Sequence, residues 1–107
     1  MIIRIYRCTV VAGREAEFQE YAFSKSHPRL RERPGLIAFY AGRPLPQGDS
    51  RARCLVQIWE SVSAIQAAAG DEWEKPPNLP KEVDGFIESA TVEHYDLADE
   101  FRADHGR

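Results

Sequence analysis

The side chains able to move a proton near neutral pH are few. They are His27, His94 and His105, with Tyr6, Tyr21, Tyr40 and Tyr95 as weaker acids and hydrogen-bond donors. An imidazole held beside a weakly acidic group can act as its general base. His27 is the preferred histidine for that role. It stands at a break in a helical pattern, directly before Pro28. The competing placement is an exposed or helix-capping histidine. His94 falls in the last strand-like run, with Glu88 and Glu93 as expected neighbours, and His105 falls in a polar tail and is set aside. Gln57 and Trp59 alternate in one run and so share a face. An amide amid apolar surface needs a partner, either internal or a ligand. Trp59 has two readings, core or pocket wall. Trp73 also has two: a staple holding its loop onto the first helix, or a lid over a pocket mouth.

The elements that must position these groups follow from periodicity. Residues 2–10 (IIRIYRCTV) are rich in β-branched and aromatic types and form a first strand. After Gly13, residues 14–26 carry Phe18, Tyr21 and Ala22 at helical spacing, and Pro28 kinks that helix or opens an extra turn. Pro34-Gly35 ends it. Residues 36–42 (LIAFYAG) and 52–59 (ARCLVQIW) are strands two and three, joined by a loop rich in proline and glycine. Ser61 caps a second helix that Gly70 stops near residue 69. Residues 71–81 hold three prolines and are irregular, and residues 86–97 are the fourth strand. The order β-α-β-β-α-β predicts an α+β, ferredoxin-like domain over residues 1–97. It is a four-stranded antiparallel sheet with two helices on one face, followed by a polar tail over 98–107.

Both faces of this sheet are apolar. Strand three reads Cys54, Val56, Ile58 on one face and Leu55, Gln57, Trp59 on the other. Strand two reads Ile37, Phe39, Ala41 against Leu36, Ala38, Tyr40, and strand one Ile3 and Ile5 against Ile2, Tyr6 and Cys8. Two helices cover one face. The other is a large patch that a soluble monomer rarely leaves in water. A second copy packed sheet to sheet covers it, with roughly 1.5–3 kcal/mol from each apolar side chain buried. The expectation is a homodimer.

Specific residues then carry a resemblance. HPRLRERPGLIAFYAGR takes the first helix through Pro-Gly into strand two. LVQIWESVSAI places a tryptophan and Glu-Ser before the second helix, AAAGDEWEKPP follows that helix, and ATVEHYDL closes the sheet. Over residues 1–97 the chain resembles the antibiotic biosynthesis monooxygenase domain of the dimeric α/β-barrel superfamily. The resemblance implies a pocket between sheet and helices for a small aromatic or hydrophobic ligand. It puts Trp59 in the pocket wall, with Gln57, Tyr6, Tyr21, Tyr40, Trp73 and Asn78 around the substrate. It implies a monooxygenase that oxidises a small aromatic or quinol without a cofactor, His27 being the candidate base; the alternative is a dimer that holds such a ligand without turning it over. Haem-degrading relatives carry an iron-ligating histidine beyond the second helix. Here that stretch reads DEWEKPPNLP, with Asn78 near the matching place.

Composition bounds the remaining classes. A net charge of -3 argues against nucleic acid as the main partner, so Arg29, Arg31 and Arg33 are taken as a solvated helix end and Arg43, Arg51 and Arg53 as the flanks of a turn. There is no run of 18 apolar residues and no secretory leader pattern, so neither a membrane nor export is expected. Cys8 and Cys54 match no metal or redox spacing. They are expected to be reduced thiols on neighbouring strands, close to one another, in a cytoplasmic protein without a metal.

Overall fold

Alternating β-branched and aromatic residues form the strands, and the helical segments fall between them as their spacing requires. The computed structural model describes residues 1–77 and 85–103. Its elements are β1 (Ile2–Val10), α1 (Glu15–Tyr21), a π-helical turn (Ala22–Ser26), α2 (His27–Arg31), β2 (Leu36–Gly42), β3 (Ala52–Trp59), α3 (Val62–Ala69) and β4 (Ile87–Asp96). The four strands make one antiparallel sheet in the order β2-β3-β1-β4. This is the α+β, ferredoxin-like arrangement expected of the sequence.

The first helical arm runs unbroken from α1 through the π turn into α2, because Tyr21, Ala22, Ser26 and His27 all keep right-handed helical backbone. Pro28 sits in the first turn of α2. A proline lacks the N–H that a continuing α-helix would use, and the wider turn before it absorbs the mismatch. The arm therefore continues past the periodic run 14–26 into the extra turn expected at Pro28, and it carries His27 inward. Ser61 caps α3 as expected, its side chain accepting from Ala64 N at 3.1 Å. Gly70 follows with φ 85°. Gly35 also has φ +85°, and the Cβ of any other residue there would stand 2.5 Å from Ala64 Cβ. Glycine at this position lets the start of β2 press against α3.

Ile2, Trp59 and Ile65 form the centre of the core, with Leu30, Leu36, Ala64, Ala68 and Trp73 against them. They come from β1, β3, α3 and the first arm, so both helical layers lie on one sheet face. Register assigns Ile2, Arg4, Tyr6 and Cys8 to that face, opposite Trp59, Gln57, Leu55 and Arg53.

In β2 the register slips between Leu36 and Ala38, so Leu36, Phe39 and Ala41 join the helix face. Simple alternation grouped Leu36 with Ala38 and Tyr40; the bulge at Ile37 corrects this. Tyr40 consequently pairs with Val56 on the far face and is 62% exposed. That face also carries Ile3, Ile5, Val56 and Ile58, half-buried, and Tyr95, which is exposed; no helix among the described residues covers it. Arg7, Glu93 and Tyr95 are linked along its border. Cys8 pairs with Arg53 and Cys54 with Arg7, so the two thiols point to opposite faces despite their neighbouring strands. Among the described residues no helix is long and apolar enough to cross a membrane.

Candidate functional site

A cavity of about 500 Å³ lies between the helix face of the sheet and the helical layer, open on one side. Its floor is β1 and β3, through Arg4, Tyr6, Leu55, Gln57 and Trp59; its roof is the first arm and α3. Helical spacing brings Phe18, Tyr21 and Ala22 onto the face of the arm that meets it.

His27 is buried, 7% exposed, which corrects the exposed or capping alternative. Its ring packs between Phe23 and Phe39, with centroids 5.2 Å from each. It lines the cavity, and neither ring nitrogen bonds to any described side chain. Burial, aided by the charge of Arg31, holds its pKa below the ordinary 6.5. It is therefore a neutral base at pH 7.

Trp59, 2% exposed, donates from Nε1 to Gln57 Oε1 at 2.7 Å. An indole nitrogen can only donate, so this bond fixes which way round the amide stands. The Gln57 NH2 group is left as a donor, on a residue that lines the cavity and is 6% exposed. The partner that an amide in this surface demands is internal for its oxygen and open for its nitrogen. Trp59 is both core and wall, since it belongs to the apolar centre and borders the cavity. Tyr6 is beside them on the floor; burial first, and the neighbouring Cys8 second, push its phenol pKa up. It stays protonated near neutral pH and so keeps a hydroxyl proton to donate.

Arg4 is the residue that the sequence reading passed over. It is Gln57's cross-strand partner and is 5% exposed. Its Nη1 donates to the Trp73 carbonyl at 2.7 Å and stands 2.8 Å from His94 Nε2. The alternation of β1 could have found it, for Arg4 falls between Ile2 and Tyr6 on a face that is otherwise apolar. His94 faces Arg4, not its expected acidic neighbours: Glu93 is with Arg7 and Tyr95, and Glu88 with Arg51. Burial and then the Arg4 charge lower the His94 pKa, with Glu74 opposing.

Of the residues expected around a substrate, Tyr6, Tyr21, His27, Gln57 and Trp59 border one cavity. Tyr40 is turned away by the β2 bulge. Trp73 stacks edge-on against His94, centroids 4.8 Å apart, and packs on the Ile2-Trp59-Ile65 centre. It is a staple, fixed to the sheet instead of the first arm, and it is absent from the cavity wall. Asn78 and His105 lie outside the described residues. The arginines taken as solvated surface prove to border the cavity in part, through Arg29, Arg33, Arg43 and Arg53. Among the described residues no group of three or more His, Cys, Asp or Glu is placed to hold a metal ion.

Solved structures share this architecture at low sequence identity. One is a candidate antibiotic biosynthesis monooxygenase from Deinococcus radiodurans, with TM-score 0.74 and 12% identity over 98% of this chain and 100% of that one. The chain has the fold of the antibiotic biosynthesis monooxygenases. A point variant of SnoaB, a cofactor-independent oxygenase from Streptomyces nogalater, superposes with TM-score 0.69 and 15% identity, covering 95% of this chain and 97% of that one. The haem degrader MhuD from Mycobacterium tuberculosis, with two haems in its active site, gives TM-score 0.69 and 20% identity over 95% and 100%. No family model and no curated protein sequence matches the chain.

Proposed function

We propose that the protein is a cofactor-independent monooxygenase that oxidises a small aromatic or quinol in the cavity between sheet and helices. The observation that carries this reading is a neutral, buried His27 on the wall of the cavity whose floor presents donors from Gln57, Tyr6 and Arg4. SnoaB, of the same fold, is an oxygenase that needs no cofactor.

His27 takes the phenolic proton of the substrate. The floor donors hold the resulting oxyanion, whose charge spreads to a ring carbon ortho or para to it that carries hydrogen. That carbon forms a bond to one atom of O2, using substrate electrons. Protonation gives a hydroperoxide; the carbon that bears it gives up its hydrogen as a proton, the C–H electrons form the carbonyl, and the O–O bond breaks with the outer oxygen leaving as water. One oxygen atom enters the product and the other leaves as water, so the substrate supplies all the electrons.

The far sheet face supports the second part of the proposal, a homodimer packed sheet to sheet. The reading places the protein in the cytoplasm, with Cys8 and Cys54 as thiols. Oxygen uptake with a panel of quinols and hydroxylated aromatics, without added flavin or metal, tests the activity. Quenching of tryptophan emission without oxygen uptake by any of them would favour the binding module instead.

A further inference from the structure

We infer that the cavity is built for an anionic aromatic ligand, with an acidic group of the ligand held by Arg4 and Gln57. This refines the proposed substrate and rests on the cavity being the ligand site, not on turnover.

The charge of the wall is the first observation. Among the described residues the lining includes Arg4, Arg29, Arg33, Arg43 and Arg53 and no aspartate or glutamate. The whole chain has net charge -3, so the excess is local. Carboxylates in contact with arginines are elsewhere, on Arg7, Arg14, Arg51 and Arg102; none of the five cavity arginines has one among the described residues.

The second observation is Arg4 itself. A guanidinium stays charged, and a cation 5% exposed is costly without a counter-charge. Its contacts, the Trp73 carbonyl and the His94 ring, are both neutral acceptors and both engage Nη1. They orient the fork without neutralising it. Nε and Nη2 donate to no described residue, and the side chain borders the cavity. Gln57 stands across the strand pair with its NH2 group as the free end of the amide. A planar fork with an amide donor beside it matches a carboxylate, which accepts from two donors at once. The apolar remainder of the wall, with Phe18, Leu30 and Trp59, suits the ring system. Arg29, Arg33 and Arg43 are exposed residues of the same lining and would draw an anion inward.

The test is a titration of tryptophan emission in the full-length protein at pH 7.5 with two probes, 1-hydroxy-2-naphthoate and the uncharged 1-naphthol. The expected result is binding of the carboxylate about tenfold or more tighter, as one charge-assisted pair provides, with the preference shrinking as salt is raised. Arg4→Met is expected to erase the preference while 1-naphthol binding remains. Because Arg4 also holds the Trp73 carbonyl, a second variant, Arg33→Gln with Arg43→Gln, changes only exposed residues; it is expected to weaken the carboxylate alone, by a smaller factor. Equal binding of the two probes to the wild type overturns the inference and leaves the cavity a ligand site. Binding of neither overturns both.

Discussion

Among single residues, the position of protons governs both stability and the proposed chemistry. His27 is buried and His94 half-buried, and both hold pKa values below the ordinary 6.5. Each is neutral in the folded protein at pH 7 and would rather be charged in the unfolded chain at lower pH. Stability is therefore full above pH 6.5 and is lost as pH falls from 6.5 through the lowered values. Thermal melts across pH 4–8 should show the melting temperature falling on the acid side, and His27→Gln should flatten part of that fall. The same shift predicts that kcat/KM rises with pH to a plateau reached through a pKa under 6.5, read from the pH profile with a hydroxylated aromatic that turns over. The indole-amide pair gives a second prediction. Gln57→Leu leaves Trp59 Nε1 as a buried donor without its acceptor, a loss of about 1–3 kcal/mol in chemical denaturation. Adding Trp59→Phe should recover part of it, since both halves of the bond are then gone.

At the scale of elements, the sequence was most readable where periodicity was unbroken. β1, β2 and β3 have the predicted bounds because each run of alternating β-branched and aromatic residues is flanked by turn residues. Ser61 and Gly70 marked α3 for the same kind of reason: their backbone roles are local. What escaped was any feature that depends on a neighbour. The bulge at Ile37 exists only in pairing with β3, and it reversed the side of Tyr40. Pro28 marks a break in the sequence, but the widened turn before it and the inward side it gives His27 show only once the arm lies on the sheet. Arg4 was hidden because a charged residue in a strand is ordinarily solvated, and only the enclosing Trp73 and His94 bury it. The close approach of β2 to α3 gives an element-scale prediction. Gly35→Ala introduces both a strained positive φ and a 2.5 Å meeting with Ala64 Cβ, and should destabilise the protein by about 1–3 kcal/mol in chemical denaturation. Gly13→Ala, which meets nothing within 4 Å, shares the strained φ and should cost the smaller part of that.

At the scale of the whole molecule, one sheet has two apolar faces and one set of helices. The helices enclose the cavity on one side; the other side leaves Tyr40, Tyr95 and the Ile3, Ile5, Val56, Ile58 group unroofed. The proposed homodimer rests on that imbalance. Ile58→Asp places a charge at the centre of the far face, and sedimentation should show the dimer shift to monomer while the wild type stays dimeric at micromolar concentration. A wild type that sediments as a folded monomer would overturn the proposed dimer. Chemistry in the cavity through His27 is read by an oxygen electrode. With a quinol or hydroxylated aromatic and no flavin or metal added, wild type should consume one O2 per product formed, and His27→Ala should slow this by about 10²–10⁴-fold with the fold intact by circular dichroism. Absence of uptake across the whole panel, or an unchanged rate in the folded His27→Ala protein, would contradict it.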